Sequence, residues 1–351
     1  MYKIEALNDI VTRLGGTGGY KYEIQALNAW AVLVGAAGDY KYEIQALNAI
    51  DKSKGGTGLH KYNIDALNSI CKAAGGSGLN KYEIAALVFI GSNVNYYLLN
   101  EFIGAKEAYS QLKVGKTATT SIRVRRSSDN AEQDIGFVSG SIDTASLLAF
   151  VGIGDGYITK WYGQSEVVDA RQTTALNQPK IVDAGVLVVA NEKPALNFDG
   201  VADFLNLNSG DILTTKNATF FIKLTAKPVV NKIIIGNISS HFLGFTSTTN
   251  IRFRISSVVL DFAIPEVTQG QLITITAVIS DLTTNVGARI YVDGVESTTG
   301  QLFTGVTDDF TYRYLGYGGF VGSYYEGKIL SYYMFDRPFS AQEISDFTSK
   351  L

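Results

Sequence analysis

His60, His241 and Cys71 are the only histidines and the only cysteine in the 351-residue chain. That set is too small for a Cys/His zinc site, and a lone cysteine cannot close an intramolecular disulfide, so no metal or other cofactor is expected. His241 follows Ser240, but no third partner completes a hydrolytic triad. The turn Gly154-Asp155-Gly156 brings few oxygen ligands and gives only a weak suggestion of calcium. Arg123, Arg125 and Arg126 stand near Asp129, Glu132 and Asp134, a grouping that could hold a carboxylate or a phosphate. On a strand Arg123 and Arg125 share one face, opposite Ile122 and Val124, and charges so mixed more often satisfy each other. The densest remaining chemistry is aromatic. Tyr312, Tyr314, Tyr317, Phe320, Tyr324 and Tyr325 are interspersed with glycine, and rings on glycine loops at the rim of a sandwich form a surface for sugars or proteins. Tyr317, Phe320, Tyr324 and Tyr325 are the expected glycan-binding residues.

The elements that position these residues fall into two textures. The first is periodic: Tyr2, Tyr22, Tyr42, Tyr62 and Tyr82 superpose at a constant period, followed in step by an isoleucine, an alanine and a leucine such as Ile44, Ala46 and Leu47. Such self-similarity marks a repeat architecture. Each unit reads as a short helix closed by a glycine-rich turn, Gly15-Gly16-Thr17-Gly18 and Gly75-Gly76-Ser77-Gly78 among them, with glycine where a helix end needs positive φ. Asn80 and Glu83 have capping-box spacing. Cys71 lies beside Ile70 on a helix as a small packing residue. Tyr42, Ile44, Ala46, Leu47, Ala49 and Ile50 sweep a wide apolar arc, which must be covered by neighbouring repeats or by sister chains. A homotrimer or homodimer, held partly through residues 1–90, is therefore expected. The pattern ends near Ile90 at Gly91-Ser92-Asn93, and residues 91–103 form a connecting segment.

Residues 104–351 have the second texture, short alternating or β-branched runs between Gly, Asn, Asp and Ser. Thr219–Leu224, Lys232–Ile235, Ile251–Ile255, Leu272–Ile279, Ala288–Val292 and Gly327–Met334 read as strands, with a two-residue hairpin at Asp293-Gly294. Thr144–Val151 and Ser340–Thr348 alone read as helical, the second opened by a serine cap with Glu343 three residues on. The fold expected is an all-α repeat stem followed by an all-β concanavalin-A-like, jelly-roll sandwich.

Three segments of this body resemble the catalytic sandwich of α-L-arabinofuranosidase B and its relatives in phage proteins. They are Ala108-Tyr109-Ser110 through Ile122–Asp129 to Asp134-Ile135; Ile158-Thr159-Lys160-Trp161-Tyr162-Gly163-Gln164-Ser165 with Ala170–Thr173 and Lys193–Gly200; and Tyr314–Gly319 with Tyr325-Glu326-Gly327. The ending Met334–Ser340 also resembles laminin-G and pentraxin-like lectin domains. The resemblance implies a nucleophilic glutamate just after Gly236-Asn237, where Ser239 stands, and an acid/base aspartate after Gly318-Gly319, where Phe320 stands. It also implies an aspartate at Gly163. Retaining hydrolysis needs two carboxyl groups, and serine and phenylalanine can replace neither. Asp199 and Glu326 are the nearest substitutes, and both read more simply as turn residues. No catalytic residues and no enzyme activity are expected on these grounds.

Formal net charge is −3 with both signs scattered, which gives neither nucleic acid nor an anionic membrane surface an electrostatic footprint. No 18-residue apolar run occurs, and Met1-Tyr2-Lys3-Ile4-Glu5 carries charges where a signal peptide needs an apolar stretch. A soluble protein without membrane insertion is expected. The expected role is that of a bacteriophage virion protein, a capsid or tail fibre or a decoration protein. Its repeats would bind other virion proteins, and its lectin-like head would attach to a cell-surface glycan. A hydrolase acting on arabinofuranosyl substrates is the alternative.

Overall fold

A computed structural model describes residues 3–14, 16–73, 80–83, 85–87, 97–165, 169–207, 213–282, 285–297, 301–304 and 308–351. The turn at Gly75–Gly78 and the end of the repeat at Ile90–Asn93 lie outside the described residues. The chain divides into two units, Met1–Ile103 and Gly104–Leu351.

Among the described residues of the first unit, four helices recur at the sequence period: α1 Lys3–Arg13, α2 Glu23–Leu33, α3 Glu43–Ser53 and α4 Asn63–Ala73. The apolar stripe Ala46, Leu47 and Ile50, with its counterparts in the other repeats, is buried in one cluster shared by all five. Each helix is too short to persist alone, so this shared burial is what makes the repeats helical. Tyr42 is not part of the stripe. It is the extended residue preceding α3, and Tyr22, Tyr42, Tyr62 and Tyr82 are 66–72% exposed. The wheel angle assigned to Tyr42 fails because the helix starts one residue later. Most of the apolar arc is thus covered within one chain.

Two further devices hold this unit. Asn8, Asn28, Asn48 and Asn68 each reach a loop residue twelve positions on; Asn48 donates to the carbonyl of His60 at 2.9 Å and accepts from its N–H at 3.0 Å. The same pair of bonds joins Asn8 to Tyr20, Asn28 to Tyr40 and Asn68 to Asn80. Asn80 therefore does not serve as the expected capping-box residue: its side chain turns back to Asn68 and to the buried Cys71. At the other end of the helices, the Lys3 ammonium lies 2.7, 2.7 and 2.8 Å from Glu23, Glu43 and Glu83. Burial disfavours its charge, but three carboxylates outweigh burial and hold its pKa above the usual lysine range. The helix ends behave as expected where they are described: Gly35 and Gly55 have φ of 84° and 88°, and Ala36 N–H returns to Ala31 C=O at 2.9 Å, the bonding of a Schellman end.

In the second unit the strand Glu326–Phe335 is central. It pairs with Ala105–Ser110 and Leu196–Asp199 along one edge and with Ala218–Thr225 along the other, all antiparallel. Ala218–Thr225 leads on to Leu272–Leu282 and Asn285–Val292. A second run of strands comprises Val258–Ala263, Asn250–Ile255, His241–Ser247 and Lys232–Ile238, joined through Tyr314–Leu315 and Leu205–Asn206 to Ala170–Arg171, Gly156–Trp161 and Thr120–Arg126. Both runs contribute to one core. The expected hairpin is present, with Asp293 and Gly294 at positive φ between the paired Val292 and Val295. The helix Ala341–Thr348 opens with the expected Ser340–Glu343 capping box. Its Phe347 packs 4.1 Å from the Phe221 ring, covering the outer face of the central strands.

Glu107 is fully buried in this core and accepts hydrogen bonds from Tyr332 at 2.9 Å, Tyr312 at 3.2 Å and Tyr109 at 3.4 Å. Burial pushes its pKa up to about 7, against the restraining tyrosine hydroxyls. Replacing Asn48 by alanine should remove both clamp bonds and leave the His60 amide groups half-buried without them, a loss of about 2 kcal/mol. The check is urea unfolding of the full chain followed by circular dichroism at 222 nm. The midpoint should fall for Asn48→Ala and fall less for Asn48→Asp; an unchanged midpoint in both contradicts the clamp.

Candidate functional site

Asp199 ends its strand, and its carboxylate accepts from the backbone N–H of Val201, Ala202 and Asp203 at 2.8, 2.9 and 3.0 Å. That turn requires Gly200, whose φ is 74° and on which a Cβ would come within 2.6 Å of Glu326 Cβ. The turn brings Asp203 back so that its carboxyl accepts from Asp199 N–H at 3.0 Å. The two acids are thereby driven apart in protonation. For Asp199 burial opposes the charge, but the three backbone donors prevail and hold its pKa below the ordinary value. For Asp203 burial, reinforced by the charge of Asp199, pushes the pKa up to about 7. Asp203 is thus the more readily protonated of the two and Asp199 the more readily ionised, a contrast also found at acid/base sites.

Asp199 and Asp203 line a cavity of about 520 Å³ together with Arg125, Tyr157, Gln178 and Asn197. Asn197 and Asp199 also line a neighbouring cavity of about 280 Å³ that contains Lys227 and Glu326, where Lys227 holds Glu326 at 2.7 Å. From Arg125 a chain of buried amides runs toward the rim. Arg125 Nε donates to Gln178 at 2.7 Å, Gln178 donates to the carbonyl of Gln172 at 2.9 Å, and Gln172 donates to the carbonyl of Phe204 at 3.1 Å.

Phe204 carries the aromatic rim. Its ring lies 5.3 Å from Tyr314 and Tyr317 and 6.4 Å from Tyr324, and the half-buried Tyr317 and Tyr324 stack at 4.3 Å. Phe320, also half-buried, packs on Phe242 at 5.8 Å. Tyr325 does not belong to the rim: it is fully buried and donates its hydroxyl to the Thr225 carbonyl. Tyr312 is likewise buried, on Glu107. The rim abuts the junction named by the sequence motifs, since a Cβ on Gly236 would come within 3.1 Å of Gly318 Cα and one on Gly319 would overlap the Asn237 carbonyl. Neither Asp203 nor Phe204 was singled out by sequence; the signal lies in the Asp-Gly-x-x-Asp spacing of 199–203, which marks a turn returning one acid to another.

The other sequence candidates have structural partners. Arg123 pairs with Asp134 at 2.7 Å and Arg126 with Asp129 at 2.6 Å. Asp155 accepts from Ala184 N–H and Tyr157 and pairs with Lys180. Gln164, within the arabinofuranosidase-like motif, ties down the loop at Ser110–Gly115 with four hydrogen bonds.

Residues 199–345 match a laminin-G-type family model described as the concanavalin A-like lectin/glucanases superfamily. The sandwich has the concanavalin A-like lectin/glucanase fold. Among solved structures this concanavalin A-like chain is similar to a GH54 α-L-arabinofuranosidase soaked with a cyclic sulfate inhibitor. Identity is 14% and the TM-score 0.51, covering 70% of this chain and 62% of that one. An arabinofuranosidase complexed with arabinofuranosyl-α-1,2-xylobiose matches at 15% identity and TM-score 0.48, over 70% and 61% of the two chains. Trypanosoma rangeli sialidase in complex with the inhibitor DANA matches at 13% identity and TM-score 0.40, over 54% and 30%. The chain spans less than two thirds of the length of each. No curated protein matches it.

The expectation that the chain is no enzyme is corrected by the first of these comparisons, because the sandwich shares its fold with a GH54 α-L-arabinofuranosidase. That expectation rested on serine and phenylalanine at positions 239 and 320 and on Asp199 and Glu326 as turn residues; Asp203, beside Asp199 in the same cavity, adds a further carboxyl group.

The raised Asp203 gives a pH test with a definite sign. Its folded pKa of about 7 lies above the ordinary 3.8, so its contribution to stability is full below pH 4 and lost as pH rises through 7. Across that window the parent should lose about 2 kcal/mol relative to Asp203→Asn, allowing for solvent screening. Urea midpoints of both proteins from pH 4 to 8 measure the difference. Glu107 acts equally in both and cancels, and parallel curves would contradict the assignment.

Proposed function

We propose that the sandwich is a carbohydrate-recognition head, with the half-buried rings of Tyr317 and Tyr324 beside Phe204, and of Phe320 on Phe242, as its stacking surface and the Asp199–Asp203 cavity as its polar pocket. The observation that carries this reading is the link between the two. A hydrogen-bonded chain of buried glutamines joins the cavity to the backbone of Phe204, so one rigid wall serves an aromatic surface and a set of convergent polar groups. Saccharide sites need that combination, a ring face against an aromatic and hydroxyls against charged or amide groups. The superfamily of lectins and glucanases to which residues 199–345 are similar supports it.

In the fuller form of this reading the head belongs to a virion fibre or decoration protein. The regular repeats and the likeness of the sandwich segments to phage proteins support that setting. The exposed Tyr22, Tyr42, Tyr62 and Tyr82 then offer the surface through which repeats meet sister chains, as a dimer or trimer, or other virion proteins.

A second reading, glycoside hydrolysis, is favoured by one observation, two carboxyl groups in one cavity, with Asp203 accepting from Asp199 N–H and Asp199 held by three backbone donors. The protonated Asp203 would give its proton to the departing sugar oxygen, with Asp199 as the anionic partner. The test combines a glycan array with release of 4-nitrophenol from 4-nitrophenyl α-L-arabinofuranoside. Tyr317→Ala and Tyr324→Ala should weaken glycan binding by about tenfold each, the loss of one stacking contact, while leaving the sandwich folded. Unfolding of both variants, or undiminished binding by both, contradicts the rim assignment. Turnover that disappears in Asp203→Asn assigns hydrolysis to the cavity.

A further inference from the structure

We infer that the cavity selects a saccharide bearing a carboxylate, a sugar of the uronic or sialic acid class, and that Arg125 is the residue that engages the carboxylate. The inference rests on the reading of the sandwich as a carbohydrate-recognition head and adds the chemical class of its ligand.

Three arginines share the strand Thr120–Arg126, and two are neutralised. Arg123 makes a two-pronged pair with Asp134 at 2.7 and 2.9 Å, and Arg126 does the same with Asp129 at 2.8 and 2.6 Å. Arg125 lines the cavity, and its hydrogen-bond partners are neutral: Gln178 Oε1 at 2.7 Å and the Ala175 carbonyl at 3.4 Å on the cavity wall, and Asn130 Oδ1 at 2.7 Å outside it. Three of the five N–H groups that a guanidinium carries are thus engaged, which leaves two to donate to a ligand. Its plane lies over the Tyr157 ring at 4.7 Å, and Gln178 is only 3% exposed. The guanidinium is therefore held in place before any ligand arrives, which is what a bidentate carboxylate contact requires.

The acids around the cavity are engaged by other groups, and none of them forms an ion pair with Arg125. Asp199 is held by three backbone N–H groups. Asp183 and Asp155 flank Lys180 at 2.8 and 3.0 Å. Asp203 sits under the turn and accepts from Asp199 N–H; in its protonated form it can donate to an incoming oxygen rather than repel it. Asn197 and Tyr157 supply neutral polar groups for hydroxyls along the same wall. A ring with one carboxylate and several hydroxyls fits this lining, and the volume of about 520 Å³ accommodates a saccharide of one or two rings.

Matched glycosides test the inference on the full chain. Methyl β-D-glucuronide is compared with methyl β-D-glucoside, methyl α-D-galacturonide with methyl α-D-galactoside, and the methyl glycoside of N-acetylneuraminic acid with its methyl ester, by NMR titration at low salt. At least one acidic member should bind tenfold or more tightly than its neutral twin. Arg125→Gln should bring that ratio close to one, and Arg125→Lys, which keeps the charge but not the fork, should leave an intermediate ratio. Melting curves verify that the variants fold; if Arg125→Gln does not, the ratio in the parent together with Arg125→Lys decides. Equal binding within every pair overturns the acidic-sugar inference and leaves carbohydrate recognition standing. Acetate or inorganic phosphate binding as tightly as the acidic sugars overturns it in favour of a plain anion site. Binding of no saccharide at all overturns both readings.

Discussion

The strand Glu326–Phe335 is the constraint on which the sandwich depends. Its three partner strands each lie more than one hundred residues before it in sequence, and one slipped register would move Tyr332 and Glu107 out of the core together. Its first residue pairs with Asp199, so the same register that closes the core also sets Glu326 against the acid turn. The Asp199-Gly200 turn then fixes Asp203 and the next residue, Phe204, and the buried glutamines tie the Phe204 carbonyl to Arg125. Core closure and the chemistry of the cavity are in this sense one arrangement: the site is built on strand ends and short hydrogen-bonded turns rather than on long loops.

The helical unit solves a different problem. Its helices bury a stripe of small and branched residues against each other, which supplies attraction but little specificity of register. Specificity comes from polar groups. The asparagine clamps tie each turn to the helix before it, and the single lysine of the first repeat gathers carboxylates from three others. The first repeat carries Lys3 where Glu23, Glu43 and Glu83 stand in three of the others and Asn63 in the fourth, and without that exchange like charges would converge.

Strand and helix positions were legible in sequence because they rest on local patterns: alternation in Ile251–Ile255, the Asp293-Gly294 turn, the Ser340–Glu343 box. What failed was orientation at element boundaries. Tyr42 was placed on a helical face although it precedes the helix in extended backbone. Tyr325 was grouped with Tyr324 although adjacent residues in extended chain point to opposite sides, so only one of the two could face the rim. The asparagine clamps were hidden because an asparagine on a polar helix face has a ready partner in water, and only the fold shows which backbone group lies within reach. The acid pair was half legible: Asp199 stood in a family-like segment, whereas Asp203 acquires its character from burial. Burial at that point depends on strands distant in sequence, and no local pattern reports it.

The central claim is that the cavity at Asp203 and the rim at Tyr317 and Tyr324 act as one saccharide site. A crystal structure of the full chain with a bound acidic oligosaccharide tests it most directly. The account predicts one sugar ring in the cavity between Arg125 and Asp203, with the next against the rim aromatics. A saccharide seated instead on the exposed tyrosines of the helical repeats, or on any face of the sandwich away from Phe204, would contradict it.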